Sequence, residues 1–152
     1  RLIGWTGKVL AEHPDQRREL VEHPDLVPNA IEEILRYEPP APHVGRYVAT
    51  DATFHDQVVP AGSAILLLVG AANRDEDKFP DGERFDIHRN TAGHLSFGLG
   101  PHFCLGASLA RLEGRVGDDA GGHPLTPVSP PPVPGRPGRG GSVPDGPVRE
   151  RA

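Results

Sequence analysis

Nine prolines and seven glycines crowd into the last 35 residues, 118–152. That stretch has no aromatic residue and seven apolar ones. Its centre, Ser129 to Gly141, contains Pro130-Pro131-Pro132 and Gly140-Gly141. Such a segment buries too little surface to offset the entropy of ordering it. It is expected to be a disordered tail with local polyproline-II character; a PxxP ligand is the other reading of its composition. A packed core must therefore be built from residues 1–117. The net charge of −5, from 16 basic and 21 acidic residues, argues against a nucleic-acid binder, which needs a basic stripe. A single cysteine rules out an internal disulfide framework and a multi-cysteine zinc ribbon. No apolar run approaches the ~18–20 residues of a membrane span. The chain has no methionine and opens on Arg1-Leu2-Ile3-Gly4-Trp5. No basic-then-apolar leader is visible, and the opening reads as the middle of a longer protein.

Residues 1–12 read as the end of a helix. Glu12-His13-Pro14-Asp15 and Glu22-His23-Pro24-Asp25 echo each other, and both place proline where a helix starts. A short helix is expected over 14–22. The clearest helix is 25–37, where Leu26, Ala30, Ile31, Ile34 and Leu35 recur at helical spacing before Pro39-Pro40. Strands are expected at Val44 to Ala49 and Thr53 to Val59. A turn at Pro60-Ala61-Gly62 leads to the apolar run Ala64 to Val69, expected as a buried strand. Residues 71–103 carry turn chemistry. A last helix should open near Cys104 or Leu105 and run to about Val116, burying Leu105, Leu109, Leu112 and Val116. The sum is a mainly α fold with small β-sheets (α+β).

The lone cysteine sits in Phe97-Gly98-Leu99-Gly100-Pro101-His102-Phe103-Cys104-Leu105-Gly106. Glycines on both sides permit unusual backbone angles and close approach of another body. A helix starting just after the sulfur favours a thiolate. Cys104 is then a nucleophile or a metal ligand. The bland alternative is a small core residue. A zinc site shared with His102 needs more ligands than the sequence aligns. A cysteine hydrolase needs a partner histidine and an oxyanion site. His13 and His23 precede prolines and read as exposed pre-helix residues, and His55, His88, His94 and His123 lack metal-ligand spacing. Glu33 and Arg36 are i, i+3 neighbours able to pair on one helix face. Glu83-Arg84-Phe85-Asp86 is, by itself, a charged turn.

In chain order, these three pieces resemble the C-terminal part of a cytochrome P450, a haem-thiolate monooxygenase. Phe97 to Gly106 matches that family's FGxGxHxCxG signature at every specified position. Glu33 and Arg36 match its ExxR motif. Ala72-Asn73-Arg74-Asp75 and Phe85-Asp86-Ile87-His88-Arg89 are similar to bacterial, especially actinobacterial-type, members. The resemblance covers residues 1–117 and does not enter the tail. It implies the C-terminal part of the P450 fold, with haem b as cofactor. Cys104 would be the axial thiolate ligand of the haem iron, its electron donation favouring O–O cleavage. Phe97 would shield the sulfur, and loop N–H groups would hydrogen-bond it. Gly98, Gly106 and Ala110 would lie close to the porphyrin. Arg46 and His102 fall where the family contacts haem propionates. Glu33, Arg36 and Arg84 would form a buried network bracing the loop. His43 and Val44 fall in a segment that lines the substrate pocket.

The same resemblance implies insertion of oxygen from O2 into a small organic substrate. A ferredoxin or flavoprotein would deliver electrons on the Cys104 face. It implies a cytoplasmic location and neither a nucleic-acid nor a membrane partner. It places the oxygen-activating residues before Arg1, and Thr6 too late to be one of them. No catalytic residue is therefore expected here, and the chain is expected to be inactive alone. Haem binding without turnover and a non-functional gene fragment are the alternatives. Apolar period and resemblance both stop after Val116, which suggests a frameshifted reading of GC-rich coding sequence beyond it.

Overall fold

The computed structural model describes residues 1–119. It is helix-rich with two small sheets. Helices α1 (Leu2–Glu12), α2 (Pro14–Glu22) and α3 (Val27–Tyr37) come first, with a 3-10 turn at Pro24–Leu26 between the last two. Pro14 stands in the first turn of α2 and Pro28 in that of α3, where a missing N–H removes no helical bond. At the other end of α3 the N–H of Glu38 still reaches the Ile34 carbonyl. Pro39 then stops the helix, because the residue before a proline avoids helical angles.

Helix α3 is the hub of the core. Its Ala30, Ile31, Ile34 and Leu35 are buried against Val9 and Leu10 of α1, Leu20 of α2, and Phe85 and Ile87. Leu26, expected in the same stripe, lies on the 3-10 turn and is partly buried. Three side chains pin the segment carrying Phe85 and Ile87. Gln16 donates to the Phe85 carbonyl (3.0 Å) and accepts from the Ile87 N–H (2.9 Å). Asn29 donates to the carbonyls of Ile87 and Arg89. The imidazole of His88 meets Glu19 at 2.8 Å.

Strands β1 (Val44–Tyr47) and β4 (Ala64–Leu67) pair antiparallel, Val44 opposite Leu67 and Tyr47 opposite Ala64. Strands β2 (Ala52–Phe54) and β3 (Gln57–Val59) form a separate hairpin. The sequence expectation of one strand over Thr53 to Val59 is thus corrected. His55 and Asp56 adopt φ of 43° and 64°, the left-handed pair that a tight two-residue hairpin turn requires. The expected buried strand, Ala64 to Val69, is corrected twice. It ends at Leu67, and Val69 begins the short helix α4 (Val69–Ala72). Leu66, Leu67 and Leu68 are largely exposed, since β4 has one strand partner and no element of the described residues layered over its leucines.

The last helix, α5, spans Ala107–Asp119. It starts later than the cysteine and runs past Val116, through the first two residues of the expected tail. Residues 120–152, the rest of that tail, lie outside the described residues. The buried face of α5 is also not the expected one. Leu105, just before the helix, and Leu109, Leu112 and Val116 on it are exposed, whereas Ala107 and Gly114 are buried with Ala110 and Arg111 half-buried between them. Spacing explains the choice. A Cβ at Gly114 would stand 2.9 Å from Cγ2 of Ile31 and 3.3 Å from Cδ2 of Leu2. The α3–α5 crossing is so close that it selects small residues, and the leucines fall on the other side.

Candidate functional site

The cysteine loop joins the core to α5. Gly98 and Gly100 have φ of 72° and 66°, angles that side chains rarely tolerate. The Gly98 N–H donates to the Leu95 carbonyl and the Cys104 N–H to that of Phe97, both at 2.8 Å. The Phe103 N–H donates to Gly100 (3.0 Å) and the Ala107 N–H to Cys104 (3.2 Å). The loop therefore closes on itself, with Phe97 and Cys104 as its backbone partners. These four donors all serve carbonyls. The N–H groups of Leu105 and Gly106, next to the sulfur in the chain, have no described carbonyl acceptor.

Cys104 is a free, exposed thiol, which excludes the small-core-residue reading. It lines a cavity of about 580 Å³. Val44, Arg46, Phe97, Gly98 and His102 line the same cavity, together with Leu67, Leu68, Leu95 and Leu99. Arg46 is exposed, and its described hydrogen bond goes to the adjacent Gly45 carbonyl at 2.9 Å. Four other expected site residues stand elsewhere. Gly106 is beside the sulfur but outside the cavity wall; a Cβ there would sit 3.9 Å from Sγ. Ala110 lies a turn further along α5, half-buried and also outside the wall. His43 is exposed and does not line the cavity. Arg84 is 69% exposed, away from the buried network it was assigned to.

That network has a different third arginine. Glu33 and Arg36 are fully buried and form a two-pronged pair, Nε to Oε2 at 2.7 Å and Nη2 to Oε1 at 2.8 Å. Arg36 also donates to the carbonyls of Asn73 and Gly82 at 2.8 Å and of Arg84 at 3.2 Å. The guanidinium that joins Glu33 is that of Arg89, Nε to Oε1 at 3.3 Å. Arg89 also donates to the carbonyls of Pro80, Asp81 and Arg84. Arg84 gives the network its carbonyl and turns its own guanidinium to Asp86. The N–H of Asp86 completes Glu33 at 3.0 Å. Gly82 is required here, because a Cβ would fall on the Arg74 carbonyl.

Two further groups escaped the sequence reading as site residues. Asn73 is fully buried. Its amide donates to the Arg36 carbonyl and Ser96 Oγ and accepts from the Leu95 N–H at 2.7 Å. Ser96 Oγ in turn donates to the Leu35 carbonyl at 2.6 Å. These bonds fasten the start of the cysteine loop to the end of α3. The second group is Glu32, His94 and Arg111. Arg111 donates to Glu32 through Nε (2.6 Å) and Nη2 (2.9 Å), and His94 Nε2 lies 3.0 Å from Glu32. Burial would raise the Glu32 carboxyl, but hydrogen bonds and charge from His94 and Arg111 outweigh it and hold it down to about 2. The bond from Glu32 raises Arg111 in return, against its burial. No spacing rule finds either group, since their hydrogen-bonded partners are 22 to 79 residues apart.

The chemistry of the cavity is specific. Among the described residues, no three His, Cys, Asp or Glu side chains cluster as a metal site. The leucine walls suit a flat apolar body, and Arg46 and His102 suit anionic groups on it.

The cytochrome P450 family model matches residues 8–117. The chain is 48% identical over 116 residues to vitamin D(3) 25-hydroxylase of Pseudonocardia autotrophica, covering 76% of this chain and 29% of that protein. It is 48% identical over 115 residues to 6-deoxyerythronolide B hydroxylase of Saccharopolyspora erythraea, covering 76% and 28%. The solved structure of cytochrome P450 CYP109Q5 from Chondromyces apiculatus aligns with a TM-score of 0.74 and 51% identity, over 76% of this chain and 30% of that one. The chain thus spans under a third of the length of these relatives.

Proposed function

Because the chain belongs to the cytochrome P450 family, we propose that its cavity is the thiolate side of a haem b site, where Cys104 would hold the iron. Haem is that family's cofactor, and the residues present fit it. The observation that carries the reading is the exposed Cys104 sulfur in the wall of the 580 Å³ cavity, with leucines, Arg46 and His102 around it. Bound haem would supply the redox chemistry that activates O2. The protein's part is binding and orientation. Arg46 and His102 would hold the propionates by charge and hydrogen bonding. Gly98 and Gly100 hold the loop in a shape that exposes the sulfur. Phe97 holds the Cys104 N–H through its carbonyl and so fixes the loop backbone at the sulfur. Gly106, next to the sulfur, leaves room for a macrocycle, and Ala110 continues that small-residue side along α5. The buried Glu33, Arg36 and Arg89 network and Asn73 keep the loop's base rigid.

The overall reaction proposed is insertion of one oxygen atom from O2 into a small organic substrate, beside Val44. Electrons come from a ferredoxin or flavoprotein on the Cys104 side. A cytoplasmic location belongs to the same proposal; no helix of the described residues is long and apolar enough to cross a membrane. A second reading is haem binding without turnover. It rests on the same observation, since the exposed Cys104 in the cavity wall bears on haem binding and not on turnover.

Haem titration into the purified chain, followed by reduction and CO, tests the site. The expected result is a red-shifted Soret band of the thiolate-ligated type that Cys104→Ala abolishes. A free-haem or histidine-type band in the unmodified chain would overturn the assignment.

A further inference from the structure

The strip between α3 and the cysteine loop holds charges that the haem reading does not use. Glu32 lies on α3 beside Glu33 but serves a different region. Glu33 faces the segment 82–89, whereas Glu32 faces the loop and α5. The fork from Arg111 and the imidazole of His94 both end on its carboxylate. The Arg111 guanidinium also stands 4.7 Å from the centre of the Phe97 ring. The His94 ring is 6.1 Å from Phe97 and the Phe103 ring 6.3 Å. Phe97 is therefore boxed by a cation, an imidazole and a second aromatic ring. Its carbonyl accepts the Cys104 N–H, so a shift of Phe97 moves the sulfur.

We propose that Glu32, Arg111 and His94 form a clamp that positions Phe97 against Cys104, which makes Arg111 and Glu32 positioning residues for the thiolate ligand. The proposal rests on the reading of Cys104 as the haem ligand. Three observations support it. The Arg111 fork is two-pronged, and a planar guanidinium is the side chain that can grip a carboxylate and lie over a ring at once. The clamp spans three separate segments, so it orders the loop relative to the core and not only within itself. The low carboxyl of Glu32 keeps it anionic wherever the protein would work.

The lone cysteine gives a readout that needs no haem. The rate at which 5,5′-dithiobis(2-nitrobenzoate) modifies Cys104 in the full chain should rise about fivefold in Arg111→Ala and Glu32→Gln, the size of one partly buried ion pair lost. Arg111→Lys should restore part of the protection. The decisive arm is a double-mutant cycle. In a Phe97→Ala background, Arg111→Ala should add nothing to the rate, because the clamp acts through the ring. Equal acceleration in both backgrounds, or none in a variant with an unchanged urea midpoint, overturns the clamp. Should Arg111→Ala lower the urea midpoint, Glu32→Gln, which keeps the size of the side chain, carries the same cycle. With haem bound, the same variants should shift the reduced-CO Soret band while Cys104 still ligates. A parent chain without the thiolate band overturns the ligand assignment, and the thiol cycle then judges the clamp separately.

Discussion

Helix α3 separates two regions built on opposite terms. On one side Glu33, Arg36, Asn73 and Arg89 bury or half-bury their charges and amides and give almost every polar atom a partner. On the other side the cysteine loop, β4 and the outer face of α5 present leucines and a thiol to solvent. The first region is polar and sealed, the second apolar and open. The difference teaches where rigidity and function lie. A buried, fully paired network has one arrangement that satisfies it and collapses if one member is removed. An open apolar wall stabilises nothing by itself and has value as a surface for a ligand.

The largest effect should come from breaking the sealed side. Arg36→Ala would take the two-pronged partner from the Glu33 carboxylate, leaving it Arg89 and the Asp86 N–H, and would strip the Asn73 and Gly82 carbonyls of their donor. The expected loss is about 3–5 kcal/mol, the usual cost of leaving one partner of a buried pair. Glu33→Gln should lose less, since an amide oxygen still accepts from the Asp86 N–H. Urea denaturation followed by circular dichroism measures both. A loss below about 1 kcal/mol for Arg36→Ala would mean that water reaches the pair, and the contrast between the two regions would dissolve.

The next test sharpens the boundary of the network. Arg89→Ala removes a guanidinium that touches Glu33 and three carbonyls. Arg84→Ala removes one that is 69% exposed and meets Asp86 at 3.3 Å. The expected losses are about 1–3 kcal/mol for Arg89 and under ~0.5 kcal/mol for Arg84. The reverse order would return Arg84 to the place the sequence resemblance gave it.

What could be read from the sequence divides along the same lines. Helix α3, its proline boundaries and the Glu33–Arg36 pair are local signals, and they were legible. So was the cysteine loop, whose glycines adopt the angles that only glycine takes easily. The choice of Arg89 over Arg84 was not, because it depends on the path of residues 80–89, which Gln16, Asn29 and Gly82 set from afar. The hairpin at His55-Asp56 carries no asparagine or glycine to announce it. The two errors about burial, at β4 and on α5, share one cause. An apolar run was equated with an inside face. At the α3–α5 crossing the inside face is instead marked by Ala107 and Gly114, because close approach selects for size before hydrophobicity. The Glu32, His94 and Arg111 group joins residues 62 and 79 positions apart, and only the fold brings them together.

The smallest effect should come from the open side, and it tests the comparison most directly. Leu109 and Leu112 are 58% and 56% exposed on α5. Replacing both by Gln removes apolar surface that is already half in water and leaves the α3–α5 crossing untouched. Helix propensity changes little, since Leu and Gln are both good helix formers. The urea midpoint of the double variant should therefore correspond to a change within about 0.5 kcal/mol. Its self-association at high protein concentration, read by sedimentation, should fall, because exposed leucines in a row are what neighbouring molecules would share. A loss of about 2 kcal/mol or more would show that these leucines are covered in solution, as fully buried side chains of that kind are worth that much. The outer face of α5 would then belong with the sealed side of the molecule, and the open region would shrink to the cysteine loop and the leucines of β4.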